Sequence, residues 1–192
     1  MYDFKLSDPH FLPHAGIEVC LSLIPGELNV LSGENGIGKS TLLQKIVDGS
    51  SQYSVSLADQ RPMDVFFNRK LKIFKDILLS GSGKLRKEFL EKYWKLSGLS
   101  LKEDRFLSQL SGGEAQILKI ISVCSADADI YLLDEPGQYL DPEKKILVNR
   151  LLEDLSTAGK SVLVVEHDAG WLRKTNSLCM AMKGNLLQVH KL

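Results

Sequence analysis

A glycine-rich segment, GENGIGKST, contains residue types that can bind a chain of phosphates. The phosphate-binding pattern requires two glycines, a lysine and a hydroxyl residue at fixed spacing, and the sequence supplies Gly33, Gly38, Lys39 and Ser40. Glycines let the backbone curl so that successive N–H groups face one anion, and a helix predicted to begin at about Lys39 directs its positive end there. Lys39 is expected to reach the β- and γ-phosphates of a nucleotide, and Ser40 to offer its hydroxyl to Mg²⁺.

Two adjacent carboxylates end the apolar run in DIYLLDEP. Side chains alternate along a strand, so Asp134 and Glu135 cannot both do the same job unless the backbone turns between them. Beside a phosphate-binding loop, Asp134 suits Mg²⁺ and Glu135 suits orienting or deprotonating an attacking water. The alternative interpretation of the pair is a solvated strand end, which Pro136 terminates.

The segment LSGGEAQILKII predicts the start of another helix. Ser111 and Glu114 have the spacing of a capping box, so one interpretation is simply a well-made helix N-terminus. The two glycines between them favour a second interpretation, because a Ser-Gly-Gly helix start exposes free N–H groups that a phosphate could approach.

Together these segments resemble the nucleotide-binding domain of the ATP-binding cassette (ABC) family, and the resemblance covers nearly the whole chain. GENGIGKST resembles the Walker A motif, LSGGE the signature motif and IYLLDEP the Walker B motif. Gln60 in LADQ resembles the Q-loop glutamine, Asp141 in YLD belongs to a segment like the D-loop, and His167 in VVEHD resembles the switch histidine. All six segments stand in the order that the family has.

The resemblance implies a mechanism. In the family, two domains in a head-to-tail dimer enclose two ATP molecules, each between the Walker A loop of one domain and the signature serine of the other. The partner is then a second copy or a paralogous domain, Glu135 is the catalytic base, and His167 holds the γ-phosphate and water. The implied ATP-binding residues are Gly33, Asn35, Gly36, Gly38, Lys39, Ser40, Thr41, Gln60, Ser111, Gly113 and Asp141, and the implied Mg²⁺ ligands are Ser40, Gln60 and Asp134.

The elements that must position these residues follow an α/β pattern with a largely parallel sheet. Continuous apolar runs such as SVLVV are typical of central strands that are covered on both faces. Strands are predicted near 28–32, 54–58, 129–134, 161–166 and 178–182, with two more at about 2–7 and 17–24. The resemblance identifies this fold as a P-loop NTPase (RecA-like) core with an N-terminal antiparallel β subdomain. Only residues 41–59 separate Ser40 from Gln60, where the family usually inserts an antiparallel hairpin. The β subdomain is therefore expected to be reduced.

The whole chain, 1–192, is predicted to be one nucleotide-binding domain. Its helical lobe is expected at about 64–110, with helices broken at residues 80–83. Arg69–Arg105 holds eleven Lys or Arg residues against five Asp or Glu, although the whole chain has zero net charge. Which aromatic residue stacks on adenine stays open between Phe11, Tyr2 and a histidine.

Composition excludes several classes of protein. With 44% hydrophobic and 25% charged residues, the chain is neither disordered nor fibrous. No apolar run approaches the roughly 20 residues that span a bilayer, and the start lacks a basic segment followed by an apolar one. We therefore expect a cytoplasmic protein, peripheral on the inner face of the membrane if its partner is a membrane protein.

Two functions fit the resemblance. One is the energising subunit of a membrane transporter, whose helical lobe grips a transmembrane permease. The other is a soluble ABC switch that acts on a ribosome or nucleic acid, since EPGQYLD and VVEHD resemble segments of the ribosome-recycling ATPases. Those proteins join two cassettes in one chain, and the recycling type adds a cysteine-rich iron–sulfur domain, which this sequence does not show. The first function is therefore preferred, and a nucleic-acid partner is not expected.

Overall fold

The computed structural model describes residues 1–12, 15–59, 69–80, 84–173, 175–183 and 186–191. Within these ranges the chain forms eight strands and five α-helices. The strands are β1 (Tyr2–Leu12), β2 (Ala15–Leu23), β3 (Leu28–Ser32), β4 (Val55–Ala58), β5 (Ile130–Asp134), β6 (Ser161–Val165), β7 (Asn176–Lys183) and β8 (Leu186–Lys191). The helices are α1 (Lys39–Gly49), α2 (Leu71–Ser80), α3 (Lys84–Leu96), α4 (Gly112–Cys124) and α5 (Pro142–Thr157).

The eight strands lie in one sheet in the order β1-β2-β8-β7-β3-β6-β5-β4. From β7 to β4 all neighbours are parallel, which confirms the predicted α/β class. The antiparallel pair β1–β2 extends the same sheet through β8, which runs parallel to β2 and antiparallel to β7. Strand β8 was not predicted from the sequence, and its pairing joins the N-terminal strands to the parallel core.

The central strands are buried on both faces. Helices α2 to α5 pack on one face, and α1 packs on the other, where apolar side chains of β1 and β2 complete the core. Every residue of β5 and β6 is buried. Alternation sends Leu133 and Val164 into a core shared with α2, α3, α4 and α5. Leu132 and Val165 enter the opposite core, beneath α1.

Helices α2 and α3 pack their aromatic side chains inward. Phe74, Tyr93 and Trp94 are all buried. The Tyr93 hydroxyl donates to Oδ2 of Asp154 on α5 at 2.8 Å, which ties α3 to the sheet-bound helices. Helix α2 ends at Ser80 and α3 begins at Lys84. Residues 81–83 of the predicted helix break and the lobe residues 64–68 lie outside the described part of the structure. None of the described helices is both long and apolar enough to cross a membrane.

Candidate functional site

The site is built by three neighbouring parallel strands that end at the same level. Leu31 of β3 pairs with Val165 of β6, and Val165 pairs with Asp134 of β5. The ladder continues one residue further, since Glu135 N–H donates to the Val165 carbonyl at 2.9 Å. The segments that follow β3, β5 and β6 therefore meet at one edge of the sheet, where ligands bind in open α/β folds.

The loop after β3 has the backbone that the glycine pattern predicts. At Gly33 a Cβ atom would lie 2.6 Å from the carbonyl oxygen of Met180 on β7, so only glycine fits there. Gly38, with φ 100°, takes the left-handed conformation directly before α1. The helix begins at Lys39, as predicted, and its free N–H groups face the loop.

Lys39 is held at the mouth of this loop. Its ammonium donates to the carbonyl oxygens of Gly33 at 2.8 Å and Glu34 at 2.7 Å, and the side chain is buried. A cavity of about 510 Å³ opens in front of it. The described residues that line this cavity are Asn35, Gly36, Gly38, Lys39, Ser40, Thr41, Asp134, Glu135 and His167.

Asp134 offers a cation ligand inside the cavity. Its Oδ1 is buried and has no hydrogen-bond partner among the described residues. Burial raises the pKa of Asp134 above its ordinary value, and a hydrogen bond from the Ser40 hydroxyl opposes that shift. A buried carboxylate oxygen left unpaired beside a hydroxyl is the hard-oxygen environment that Mg²⁺ prefers, so these residues fit that ion.

Glu135 and His167 lie next to each other in the lining of the same cavity. Glu135 has φ 49°, so the backbone does turn between the two carboxylates, as the sequence required for them to act differently. His167 Nε2 lies 3.3 Å from Glu135 Oε1. The amide of Gln116 on α4 lies 3.3 Å from the carbonyl oxygens of both Glu135 and Pro136, which fixes the turn that carries Glu135.

The Ser-Gly-Gly helix start lies apart from these residues. Ser111 caps α4 in the predicted capping box: its N–H donates to Glu114 Oε2 at 2.9 Å, and Glu114 N–H lies 3.3 Å from its hydroxyl. A hydrogen bond from Lys102 lowers the pKa of Glu114. A Cβ atom at Gly113 would lie 2.8 Å from the Tyr139 carbonyl, so the start of α4 packs directly on the segment before Asp141.

The structure thus separates the predicted site residues into two groups. The first lines the cavity and includes Asp134, Glu135 and His167. Ser111 and Asp141 are exposed, and with Gly113 they are not among the described residues that line it. Gln60 lies outside the described residues, so its role stays a prediction.

The aromatic candidates for adenine stacking are only partly placed. Tyr2 packs edge-on against Tyr53, with ring centroids 4.7 Å apart, and Tyr53 follows the C-terminal end of α1 rather than the end at Lys39. The side chain of Phe11 lies outside the described part of the structure.

Three polar residues near the cavity were not predicted from the sequence. Gln116 and Lys119 lie three residues apart on α4, and this spacing on one helical face was the available signal. Lys119 donates to the Asp59 carbonyl at 2.8 Å, immediately before Gln60, and burial lowers its pKa while attraction to nearby carboxylates opposes the shift. The third is Glu166, which is buried directly before His167.

The chain is similar in sequence to known ATP-binding proteins. A family model described as ABC transporter matches residues 18–138. A Clostridium tetani protein described as an ABC transporter ATP-binding protein is 31% identical over 175 residues, covering 79% of this chain and 40% of that protein. The glutamine transport ATP-binding protein of Escherichia coli is 29% identical, covering 98% of this chain and 90% of its own length.

A solved structure gives the same architecture in another setting. An archaeal ribosome recycling factor, in complex with a ribosomal stalk protein, superposes with a TM-score of 0.78 at 25% identity. The match covers 98% of this chain and 38% of that one. The chain therefore spans less than half the length of this protein and of the Clostridium relative.

Replacing Lys39 with alanine tests the cavity. We expect Lys39→Ala to lose nucleotide binding and turnover together, because it removes the charge that compensates the phosphates. Lys45→Ala is the matched control, since Lys45 lies on the same helix but pairs with Asp8 at 2.9 Å. Titration with a fluorescent ATP analogue, followed by a phosphate-release assay, measures both quantities. Undiminished activity in Lys39→Ala would exclude this loop as the site.

Proposed function

Because the chain belongs to the ABC transporter family of ATPases, which bind Mg-ATP, we propose that it is the ATP-hydrolysing subunit that energises a membrane transporter. The observation that supports hydrolysis is that one cavity is lined by all the groups the reaction needs: Lys39, Asp134, Glu135 and His167. A phosphate-binding lysine, a cation ligand and a candidate base are the groups that phosphoryl transfer to water requires.

Lys39 and the loop N–H groups bind the phosphates. The Lys39 ammonium, now bonded to the carbonyls of Gly33 and Glu34, lies where an anion entering the cavity meets it. Ser40 and Asp134 would hold Mg²⁺, with Gln60 as a further proposed ligand. The ion would supply charge neutralisation on the β- and γ-phosphates.

Glu135 acts on the attacking water. Its carboxylate lines the cavity and lies on a turn that Gln116 fixes, so it can hold a water in one orientation and accept its proton. His167, at 3.3 Å from Glu135, is placed to hold both that carboxylate and the terminal phosphate. The pair works best with bulk water excluded, yet His167 is exposed in the isolated chain.

A second domain would close this opening. Ser111 stands exposed at the N-terminus of a 13-residue helix, outside the cavity of its own chain, so the N–H groups that the capping box leaves unbonded at this helix start are available to a phosphate held elsewhere. Asp141 caps α5 beside it, and Tyr139 is 73% exposed. We propose that this exposed group meets the nucleotide of a head-to-tail partner.

The helical region supports a protein partner more than a nucleic acid. Its aromatic residues Tyr93 and Trp94 are buried, which removes them as surfaces on which bases could stack. Part of its positive charge is paired, since Lys75 contacts Glu103 and Lys92 contacts Asp154. Several large apolar side chains remain exposed there instead: Ile73, Ile77, Leu96, Leu101 and Phe106.

The soluble switch is the second candidate function. It is favoured by the likeness to the archaeal ribosome recycling factor, but this chain covers 38% of that protein. The glutamine transport subunit is matched over 90% of its length, and its name supports the transporter proposal. We therefore assign the exposed apolar residues of α2 and the following turns to a permease.

Changing Glu135 to glutamine tests the proposed base. Glu135→Gln keeps the shape but removes the proton acceptor, so turnover should fall by about 100-fold or more while ATP still binds. A dimer should accumulate with ATP but not with ADP, as measured by sizing chromatography. Glu143→Gln, in the exposed first turn of α5, is the control and should behave as wild type. Full turnover in Glu135→Gln would remove Glu135 from the mechanism.

Isolation of the native complex in mild detergent tests the permease. We expect a membrane protein to copurify with the wild-type chain and to be lost with Ile73→Glu/Leu101→Glu, because charge on these exposed residues opposes apolar docking. Leu186→Glu, on the exposed part of β8, is the control.

A nucleic-acid partner would give a different result. Its binding should weaken log-linearly with salt, with a slope of roughly 0.7 to 0.9 per phosphate contacted. Tight binding to RNA or DNA at physiological salt, abolished when Lys84, Arg86 and Lys87 become Glu, would overturn the transporter proposal in favour of the soluble switch.

A further inference from the structure

Glu166 is a buried carboxylate between the two turns that carry Glu135 and His167. It directly follows β6 and is only 8% exposed. Its Oε2 accepts the N–H of Gly137 at 3.0 Å, and its Oε1 accepts the N–H of His167 at 3.2 Å. One side chain therefore holds the segment after β5 and the segment after β6 together.

Burying this carboxylate is costly, so its presence needs a reason. Burial raises the pKa of Glu166 above its ordinary value, the charge of Glu135 raises it further, and the N–H groups of Gly137 and His167 oppose the shift. An apolar residue at the end of β6 would avoid that cost. What it could not do is accept two N–H groups from different turns at once.

The surroundings of Gly137 are shaped around the same carboxylate. A Cβ atom at Gly137 would lie 2.7 Å from Glu166 Oε2 and 3.0 Å from Trp171 Nε1, so glycine is required for this close packing. The Trp171 N–H is buried and has no hydrogen-bond partner among the described residues.

The turn that carries Glu135 needs such support because its backbone is strained. A glutamate at φ 49° is in the left-handed region, which persists when the surroundings over-determine it. Gln116 holds the carbonyl oxygens of Glu135 and Pro136 from the α4 side. Glu166 holds the N–H of Gly137 from the β6 side, so the turn is clamped from both directions.

We propose that Glu166 is a positioning residue that sets Glu135 and His167 at their working separation. This rests on the proposed function, in which Glu135 acts on the attacking water. Glu166 does not line the cavity among the described residues and acts through the two backbone N–H groups it binds. Its loss should lower the rate of the chemical step and leave ATP affinity in place.

The test is Glu166→Gln. The amide oxygen can accept one N–H, but the NH₂ group must then face the other N–H donor, so one turn is released. We expect kcat to fall by about 10- to 100-fold, as for small misplacements of catalytic groups, with KM for ATP and nucleotide affinity changed by less than about twofold. Glu166→Asp keeps both carboxylate oxygens and should recover part of the rate. The matched control is Glu153→Gln, because Glu153 is a carboxylate on α5 that accepts a hydrogen bond from Asn149. This control should keep the wild-type rate.

A double-variant cycle separates positioning from general damage. If Glu166 acts through Glu135, adding Glu166→Gln to Glu135→Gln should lower the residual rate by less than about twofold, because that pathway is already lost. Equal losses in both backgrounds, or a rise in KM that matches the fall in kcat, would overturn the proposal. If Glu166→Gln fails to fold, Glu166→Asp in both backgrounds decides by the same criterion.

The variants at Glu135 and Glu166 test the proposed base and the positioning role separately. Full turnover in Glu135→Gln alone contradicts the proposed base. Loss of turnover in Glu135→Gln with a wild-type rate in Glu166→Gln leaves that base in place and refutes only the role of Glu166.

Discussion

The in-register parallel pairing of β3, β6 and β5 is the constraint on which the rest of the site depends. Since Leu31, Val165 and Asp134 lie at one level, each following segment leaves the sheet at the same edge. A shift of one residue in either ladder would reverse the faces of the side chains and separate the lysine from the carboxylates. The buried apolar residues of β5 and β6 oppose such a shift, because both faces are fixed by packing.

This convergence concentrates charge in a small volume. Asp134 and Glu166 are buried, and burial is the larger cause that raises the pKa of each. Repulsion from the charge of Glu135 raises both pKa values further. The arrangement is stable because each charge has fixed dipoles or an opposite charge nearby: N–H groups at Glu166, the Ser40 hydroxyl and Lys39 at Asp134. An excess of negative charge facing the loop that carries Lys39 is an environment that gains from binding Mg²⁺ together with phosphates.

Local patterns predicted the parts of the fold that are local. The phosphate loop, the start of α1 at Lys39 and the capping box at Ser111 depend on neighbours within a few residues, so their motifs identified them. The sequence did not predict β8, whose place beside β2 depends on pairing with a strand about 170 residues earlier. Glu166 was not predicted either, because a glutamate that follows an apolar strand and precedes His167 has the pattern of a solvated strand end. Its partner Gly137 is 29 residues away, a separation that no periodic pattern reports.

The central claim is that one complete ATP site needs residues from two chains, the loop at Lys39 from one and the helix start at Ser111 from the other. Mixing two inactive variants tests it most directly: Lys39→Ala lacks the loop lysine, and Ser111→Arg blocks the exposed start of α4. In a shared-site dimer, the mixture should recover about a quarter of the wild-type ATPase rate, since half of the dimers are mixed and each has one complete site of two. If wild type is active but the mixture shows only the sum of the two residual rates, each chain hydrolyses ATP within itself and a site shared between two chains is excluded.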